Sequence, residues 1–358
     1  MKRRSLLALA GLGLASPAAL AACSSSGSSG ASGSSASAGA SGSAASAGSS
    51  PSQVLETLRV HIPSTLAYAA PMTSFGQHGH LDPVVGSTDI QNWASVDVLK
   101  SLLVNGETDL AATPSYASAN LYNKGVPVRL VAMQVWGMLY VIGPEGSSAQ
   151  GLEALRGKTV AVPMPGNMPD LVFRYLLQEK GWNADEDLTI QSFTEGQEAL
   201  NALLSGSAEY AVLPEHPASV SLAKGKQQGK ALERTVNLQE LWAEVTGGQA
   251  RFPMAGLVMP QSLTDDHPEL VGAVLDELEA SVKEVNGMSE EVVSSVSEAN
   301  DVPAEVVKEV IPRLQLEIVP AAEAKEELED FYTRLTTVSP DVVGGKMPDD
   351  DFYVADPR

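Results

Sequence analysis

The chain has 358 residues, and its 23 basic and 44 acidic side chains give a formal net charge of −21. So acidic a surface argues against nucleic acid as a partner, because a phosphate backbone would be repelled. The single cysteine, Cys23, excludes a disulfide framework, so the stability of the fold has to come from hydrophobic cores.

Residues 1–22 have the layout of a secretory signal peptide: a basic start, a short apolar stretch and small residues before Cys23. Glycine and proline interrupt the apolar stretch, which is too short for a membrane-spanning helix. The motif LAAC, residues 20–23, resembles the lipobox of bacterial lipoproteins. That resemblance implies cleavage before Cys23, a diacylglycerol on its sulfur, and acylation of the new amino terminus, for example by palmitate. Several acyl chains would anchor the protein stably at the extracytoplasmic face of the bacterial cell membrane.

Arg3 and Arg4 also resemble part of a weak twin-arginine signal, and the export route, Sec or twin-arginine, stays open at this point. Cleavage would leave 20 basic against 44 acidic residues. Residues 24–52 are almost wholly Ser, Gly and Ala, which cannot bury enough apolar surface to fold. We therefore expect residues 23–52 to be a lipidated cysteine and a disordered tether, with a span on the order of 30 Å.

The globular part is longer than one core usually grows, so two lobes are expected. Short runs of Val, Ile and Leu alternate with helical patterns, which is typical of βαβ units and a largely parallel sheet. The first series has predicted strands at residues 58–62, 89–93, 109–113, 128–133 and 138–143. The second has strands at 158–162, 187–193 and 209–214, with helices at 152–157, 167–181 and 195–206 between them.

One phrase is written twice, as NGETDLAATP at residues 105–114 and SGSAEYAVLP at residues 205–214. Both read as helix end, glycine turn, strand and proline. In α/β sheets ligands bind beyond the carboxyl ends of parallel strands. The repeat therefore predicts that each lobe directs one strand end toward a shared cleft, although chance repetition of such a pattern is common.

After residues 252–259 the sequence predicts amphipathic helices without intervening strands, at 267–286, 289–300, 303–314 and 320–335. We expect them to form a helical layer on the first lobe. Residues 341–358 are rich in Pro, Gly and Asp and predict an irregular acidic tail.

Several phrases together resemble the substrate-binding lipoproteins of bacterial ABC importers, in the nitrate, sulfonate, taurine and thiamine-precursor branch. They are VNGETDLAATPSYASANLYNKGVPVRLVA, VWGMLYVIGPEG, LEALRGKTVAVP, GNMPDLVFRYLL and ALLSGSAEYAVLPEHPASV. The resemblance implies an α/β, two-lobe type II periplasmic binding protein fold with a cleft between the lobes. It also implies a monomer that captures a small-molecule solute and delivers it to an ABC permease, without a cofactor. Lobe 1 would hold residues 55–138 plus 253–340, and lobe 2 residues 139–252.

The loops expected to face the cleft supply the candidate ligand-binding residues. After the first strand come Ser64 and Thr65, whose hydroxyls can bind a ligand or start a helix. After the third strand come Thr113, Pro114, Ser115 and Tyr116, with the same ambiguity. The loop after the first strand of the second series offers Gly166, Asn167 and Met168, where helix-start amides would present donors to a carboxylate, sulfonate or carbonyl oxygen.

Glu215 and His216 follow the repeated strand and can pair with a cationic or heteroaromatic solute. Trp136 can stack on a flat ligand, while core packing is the alternative. No arginine lies in these loops, which weakens an inorganic-anion hypothesis. His78 and His80 form an isolated HGH motif, and two histidines are too few for a zinc site.

Two other functions remain to be weighed. Pyrimidine-precursor synthases share this fold, but their cysteine-rich motif is absent, and the sequence has no convincing catalytic set, P-loop or dinucleotide fingerprint. A surface sensor or partner-binding module is the third hypothesis. The sequence therefore favours a solute receptor that is not an enzyme.

Overall fold

The protein is described here from a computed structural model that covers residues 53–358. The predicted signal peptide, lipidated Cys23 and tether lie outside these residues. The described residues belong to one compact unit, Ser49–Arg358. The strands are β1 Leu55–Pro63, β2 Val85–Trp93, β3 Leu110–Pro114, β4 Val128–Val135, β5 Leu139–Pro144, β6 Thr159–Pro163, β7 Thr189–Phe193, β8 Tyr210–Pro214, β9 Leu232–Asn237, β10 Ala255–Pro260 and β11 Leu316–Pro320.

Helices connect most of these strands. They are α1 Leu66–Met72, α2 Val96–Val104, α3 Ser115–Asn123, α4 Met168–Glu179, α5 Gly196–Ser205, α6 Glu215–Gln227, α7 Leu238–Thr246, α8 Gln261–Asp266, α9 Pro268–Gly287, α10 Glu290–Asn300, α11 Ala304–Val310 and α12 Ala321–Val338. Short 3-10 helices lie at Ser147–Leu155, Ile311–Arg313 and Asp350–Phe352. Within residues 53–358, each helix is either too short or too polar to cross a bilayer.

The strands form two sheets, each the centre of one lobe. The first lobe has the strand order β11-β4-β10-β3-β1-β2, and the second has β7-β6-β8-β5-β9. The α/β, two-lobe fold predicted from the sequence is confirmed. Alternate residues of β1 enter the core, with Leu58 and Val60 fully buried and Ile62 3% exposed. Each such side chain contributes about 1.5–3 kcal/mol through burial.

The sheets are mixed, which corrects the prediction of a largely parallel sheet. β2 and β3 run parallel to β1, but β10 is antiparallel to both β3 and β4. In the second lobe β5 is antiparallel to β8 and β9. The reason is the path of the chain. β4 leaves the first sheet at the edge where the parallel strands of that sheet end. β5 therefore enters the second sheet from the facing edge and runs opposite to its neighbour β8. β10 re-enters the first sheet in the same way and runs opposite to β3 and β4.

A second correction concerns the helical layer. β11 interrupts the C-terminal helices and pairs antiparallel with β4 at the sheet edge. Its five residues, LEIVP, are too few to show a strand period against the helices on either side.

The HGH motif, His78 to His80, is held by a helix of the same layer. The buried Glu277 of α9 accepts hydrogen bonds from the backbone amides of Gly76, His78 and His80, so this loop has a structural anchor.

The tail has little regular structure but is not loose. Phe352 is fully buried, and its ring lies 5.1 Å from that of Tyr122. Tyr353 bridges to Leu130 of β4. Residues 341–358 therefore belong to the first lobe by their packing.

The repeated phrase occupies equivalent places in the two lobes. α2 ends at Asn105 and α5 at Gly206, and β3 and β8 follow them. Leu110 pairs with Val60 in the first sheet, and Tyr210 pairs with Val160 in the second. Both strands lie in the middle of their sheets, parallel to a neighbour, and both end at a proline that opens the next helix.

Candidate functional site

Four parallel strands end in proline at the facing edges of the two sheets. They are β1 at Pro63, β3 at Pro114, β6 at Pro163 and β8 at Pro214. Proline has no backbone N–H, so it cannot continue the ladder of a central strand. Each strand therefore stops at this edge, and the chain after it turns into a loop or helix start.

The two lobes meet through side chains from these strand exits. The hydroxyl of Tyr116, at the start of α3, donates to Oδ1 of Asn167, before α4, at 2.5 Å. Tyr116 is 7% exposed, and burial raises its pKa. Thus the loops that follow β3 and β6 face each other across the gap.

The loop before α4 leaves the Asn167 side chain free of any capping role. Asn167 is the residue that precedes the helix, but its side chain does not bond the helix amides. Asp170 accepts from the backbone N–H of Gly166 at 2.8 Å instead. Met164 and Gly166 both have left-handed backbones, with φ of 53° and 72°. For Met164 this is a strained conformation, of a kind that clusters at functional sites.

A cavity of 320 Å³ lies between the lobes. His216 borders it from the second lobe, and the remaining lining comes from the first: Ser64, Thr65, Leu66, Ala69, Asn92, Ala299, Asn300, Asp301 and Val302. The volume is at the lower end of the range for small-molecule pockets. The lining is largely polar, since it combines hydroxyls, amides, an imidazole and a carboxylate.

Ser64 and Thr65 are exposed in this cavity. Thr65 precedes α1, yet its side chain makes no capping hydrogen bond. The alternative role proposed from the sequence, helix capping, is therefore not used by Thr65. Its hydroxyl is free to bind a ligand.

Two buried polar atoms lie on strands that end at the same edge. Among the described residues, Thr113 Oγ1 and Gln134 Oε1 have no hydrogen-bond partner. Gln134 is near the end of β4, and its Nε2 donates to the carbonyl of Ala67 in α1. An unpaired buried polar atom costs roughly 1–3 kcal/mol. Tyr68 of α1 is 5% exposed, and burial and then the neighbouring Tyr116 raise its pKa.

Other predicted residues are held by the scaffold. Ser115 Oγ donates to the carbonyl of Pro253 at 2.5 Å, and its own carbonyl accepts from Tyr332 at 2.9 Å. Pro114 is half-buried beside it, and Met168 is 3% exposed. The Ser115 hydroxyl therefore ties the β3 exit to the returning chain, rather than facing the cavity.

Glu215 is also engaged within the protein. Its carboxylate is fully buried and accepts from Arg234 at 2.5 Å and from Ser219 at 2.7 Å. Burial raises its pKa, and the bonds from Arg234 and Ser219 oppose this effect. The sequence prediction that Glu215 pairs with the solute conflicts with this arrangement, because the carboxylate already has a cationic partner.

Glu215 and Arg234 form one half of a contact that we call the charged interface. The other half is Glu309 and Arg313 of the first lobe. Arg234 lies 3.3 Å from Glu309, and Arg313 lies 3.9 Å from Glu215. Within the first lobe, Arg313 and Glu309 are 3.8 Å apart.

A second contact between the lobes, the aromatic interface, consists of Tyr175, Trp242, Phe252 and Phe331. Trp242 of α7 lies 5.1 Å from Tyr175, 5.5 Å from Phe252 and 5.4 Å from Phe331, measured between ring centroids. Phe331 belongs to α12 of the first lobe, and Phe252 to the returning chain. The rings therefore join both lobes and one crossing segment.

Trp136 lies in the crossing from β4 to β5 and does not reach the cavity. Its indole N–H donates to the carbonyl of Glu317 at 3.0 Å, and Arg251 stacks over its ring at 4.1 Å. The next residue, Gly137, has a φ of 143°, and a Cβ there would lie 2.5 Å from Gln239 Cγ. Its ring packs at the crossing, which is the alternative that the sequence left open, and a role of Trp136 in ligand binding stays a prediction.

Sequence reasoning missed several residues of the site. Asn92, at the end of β2, was assigned to a strand but not to the cleft. Asn300 is the last residue of α10 and Asp301 follows it, in a region predicted only as a covering layer.

The comparisons with known proteins bear on this geometry. Residues 88–243 match the family model described as "ABC transporter, phosphonate, periplasmic substrate-binding protein". YtlA of Bacillus subtilis (strain 168), named as a binding protein, is 26% identical over 161 residues. That alignment spans 44% of this chain and 47% of the relative, so this chain matches about half the length of that protein.

Two solved structures are similar over most of the chain. An ABC transporter protein from Parabacteroides distasonis has a TM-score of 0.68 at 24% identity, over 83% of this chain and 98% of that chain. The periplasmic aliphatic sulphonate binding protein SsuA from Escherichia coli has a TM-score of 0.67 at 14% identity, over 85% and 93%. The shared fold is that of binding proteins. The match of residues 88–243 confirms the resemblance to ABC-transporter substrate-binding proteins predicted from the sequence, and the solved structures share the two-lobe fold.

Proposed function

We propose that the protein is a lipid-anchored, monomeric receptor that captures a small solute between its lobes and delivers it to an ABC permease, with no chemistry of its own. The observation that carries this proposal is a cavity bordered by both lobes, in a molecule whose strand-exit loops also meet through the hydrogen bond from Tyr116 to Asn167. A solute in that gap would touch both lobes at once, as capture by closure requires.

The proposed binding residues are those whose polar groups the scaffold leaves available. Ser64, Thr65 and His216 border the cavity, and Thr113 has an unpaired buried hydroxyl. Tyr116 and Asn167 join the two lobes by a hydrogen bond. We propose that the lobes divide at residues 55–138 plus 253–340 and 139–252, because β4 and β5, and then α7 and β10, are joined by crossing segments.

Lipid anchoring through Cys23 remains part of the proposal, supported by the sequence motif before it. The absence of turnover is supported by the character of the matched family and neighbours, which are described as binding or transport proteins.

The proposal is tested on the full-length chain purified in a mild detergent. Native mass spectrometry identifies any copurifying small molecule, and a thermal-shift screen then measures stabilisation. The expected result is a ligand that raises Tm and is recovered unchanged. Steady conversion of that ligand would favour an enzyme, while stabilisation only by another protein would favour a partner-binding module.

Asn167→Ala sharpens the test. We expect affinity for the recovered ligand to fall about tenfold, because a hydrogen bond across the cleft is worth roughly 1–1.5 kcal/mol. The control is Asn201→Ala, an exposed position on α5 away from the cleft. Equal affinity in both variants would remove Asn167 from the site.

A further inference from the structure

The electrostatics of the cleft point to the charge of the solute. Resting on the proposed receptor function, we infer that the solute carries no negative charge, and that Asp301 selects for positive charge on it. This differs from the anions in the descriptions of the matched family and of SsuA, a phosphonate and a sulphonate.

Asp301 is the formally charged residue in the lining of the 320 Å³ cavity. It is exposed at the turn after α10, and its carboxylate takes no part in the ion pairs found among residues 53–358. The basic candidate in the lining, His216, has its pKa lowered by burial, so its imidazole is neutral at pH 7. The cavity therefore presents a negative charge that no lining side chain neutralises.

Every arginine among residues 53–358 forms an ion pair within the protein. Each one lies within 4 Å of a carboxylate, in the pairs of Arg59, Arg129, Arg156, Arg174, Arg234, Arg251, Arg313, Arg334 and Arg358. Arg234, for example, lies between Glu215 and Glu309. No arginine lines the cavity, so an oxyanion there has no guanidinium partner among the lining residues.

Helix starts are the other common anion sites in proteins, and two of those at this edge carry a carboxylate in their first turn. In the first turn of α4, Asp170 takes the amide of Gly166 and adds a negative charge. α6 begins with the carboxylate of Glu215. At α3, the amide of Ser115 donates to the carbonyl of Met254. At the start of α1 the backbone amides have no side-chain cap, and these uncharged donors also suit a neutral carbonyl oxygen.

The hydrogen-bonding character of Asp301 completes the argument. Its carboxylate only accepts hydrogen bonds. A solute with N–H or O–H donors satisfies such groups, whereas a phosphonate or sulfonate offers mainly further acceptors. Donor-bearing neutral molecules and cations are therefore the class that this cleft fits.

The test is a thermal-shift screen of the full-length chain against a library of small metabolites, sorted into anions, neutral molecules and cations by their charge at pH 7. The expected hits are cations and neutral donors. Hits confined to phosphonates, sulfonates or other anions would overturn the inference while leaving the receptor function intact. A screen with no hit in any class would contradict the receptor function itself, and the inference with it.

Asp301→Asn isolates the charge. Asp301 has a left-handed backbone, with a φ of 51°, which asparagine also tolerates, so the fold is retained. We expect affinity for cationic hits to fall about tenfold or more, since a charge-assisted hydrogen bond is lost. Neutral hits should change little. Asp266→Asn, an exposed control at the end of α8, should leave both unchanged. Unaltered cation affinity in Asp301→Asn would overturn the role assigned to Asp301.

Discussion

The two contacts between the lobes are built from opposite chemistry. At the aromatic interface, Trp242 packs against three rings, and Phe252 and Phe331 stack with an interplanar angle of 2°. At the charged interface, each lobe carries its own ion pair, Arg234 with Glu215 and Arg313 with Glu309. The two pairs then meet across the gap.

The difference lies in what separation would cost. Rings that part lose their packing outright and expose apolar surface to water. Charges that part keep a partner within their own lobe, and the half-exposed Glu309 and Arg313 regain water as well. We therefore expect the lobes to pivot at the aromatic interface and to separate at the charged one.

The largest expected effect is that of Trp242→Ala. Trp242 is 5% exposed, and its loss leaves a cavity among Tyr175, Phe252 and Phe331. We expect the free energy of unfolding in urea to fall by about 3–5 kcal/mol. Trp242→Phe keeps one ring and should cost clearly less. A loss below about 1 kcal/mol for Trp242→Ala would mean that the aromatic interface contributes little to stability.

Glu215→Gln should have a smaller effect. The substitution preserves shape but removes the charge that faces Arg234 in a fully buried position. We expect a loss of roughly 1.5–3 kcal/mol in the same unfolding experiment, as for hydrogen bonds to charged groups.

Glu309→Gln is the matched control for Glu215→Gln, because it changes the same functional group on the other lobe. Its side chain is 40% exposed, so the loss in stability should stay below about 1 kcal/mol. We expect a shift toward open molecules instead, seen as a larger radius of gyration in small-angle scattering without ligand. Equal losses of stability in the two variants would contradict the proposed division of roles.

The smallest expected effect is a pH dependence from His216. Burial lowers its pKa below the ordinary value of 6.5. Its contribution to stability is therefore present above pH 6.5, and is lost as the pH falls from there through the folded pKa, because the unfolded chain takes up the proton first. His216→Gln should flatten this part of a plot of Tm against pH. An unchanged slope would show that other groups cause it.

Much of the fold could be predicted because its signals are local. Glycine turns, prolines and alternating apolar residues mark the strands and helices that carry the repeated phrase. β11 could not be found in this way, since five residues do not establish a period. The direction of β5 and β10 was also hidden, because it follows from where the chain crosses between the lobes.

The candidate site divides along the same line. The sequence placed Thr65, Asn167 and Glu215 alike at strand exits. It could not say which of these side chains caps a helix or forms an ion pair. In the structure the side chains of Thr65 and Asn167 do not cap a helix, and Glu215 forms an ion pair with Arg234. Their roles in ligand binding stay predictions.

By itself, then, the sequence determined that parallel strands end in proline at an edge suited to ligands, because proline and glycine act on the backbone of their own residues. Only the tertiary structure decided which polar groups at that edge bond to other residues of the protein and which have no partner there. It also placed Asp301 in the lining of the cavity. The partners of a side chain come from distant parts of the chain, so a local sequence pattern cannot predict them.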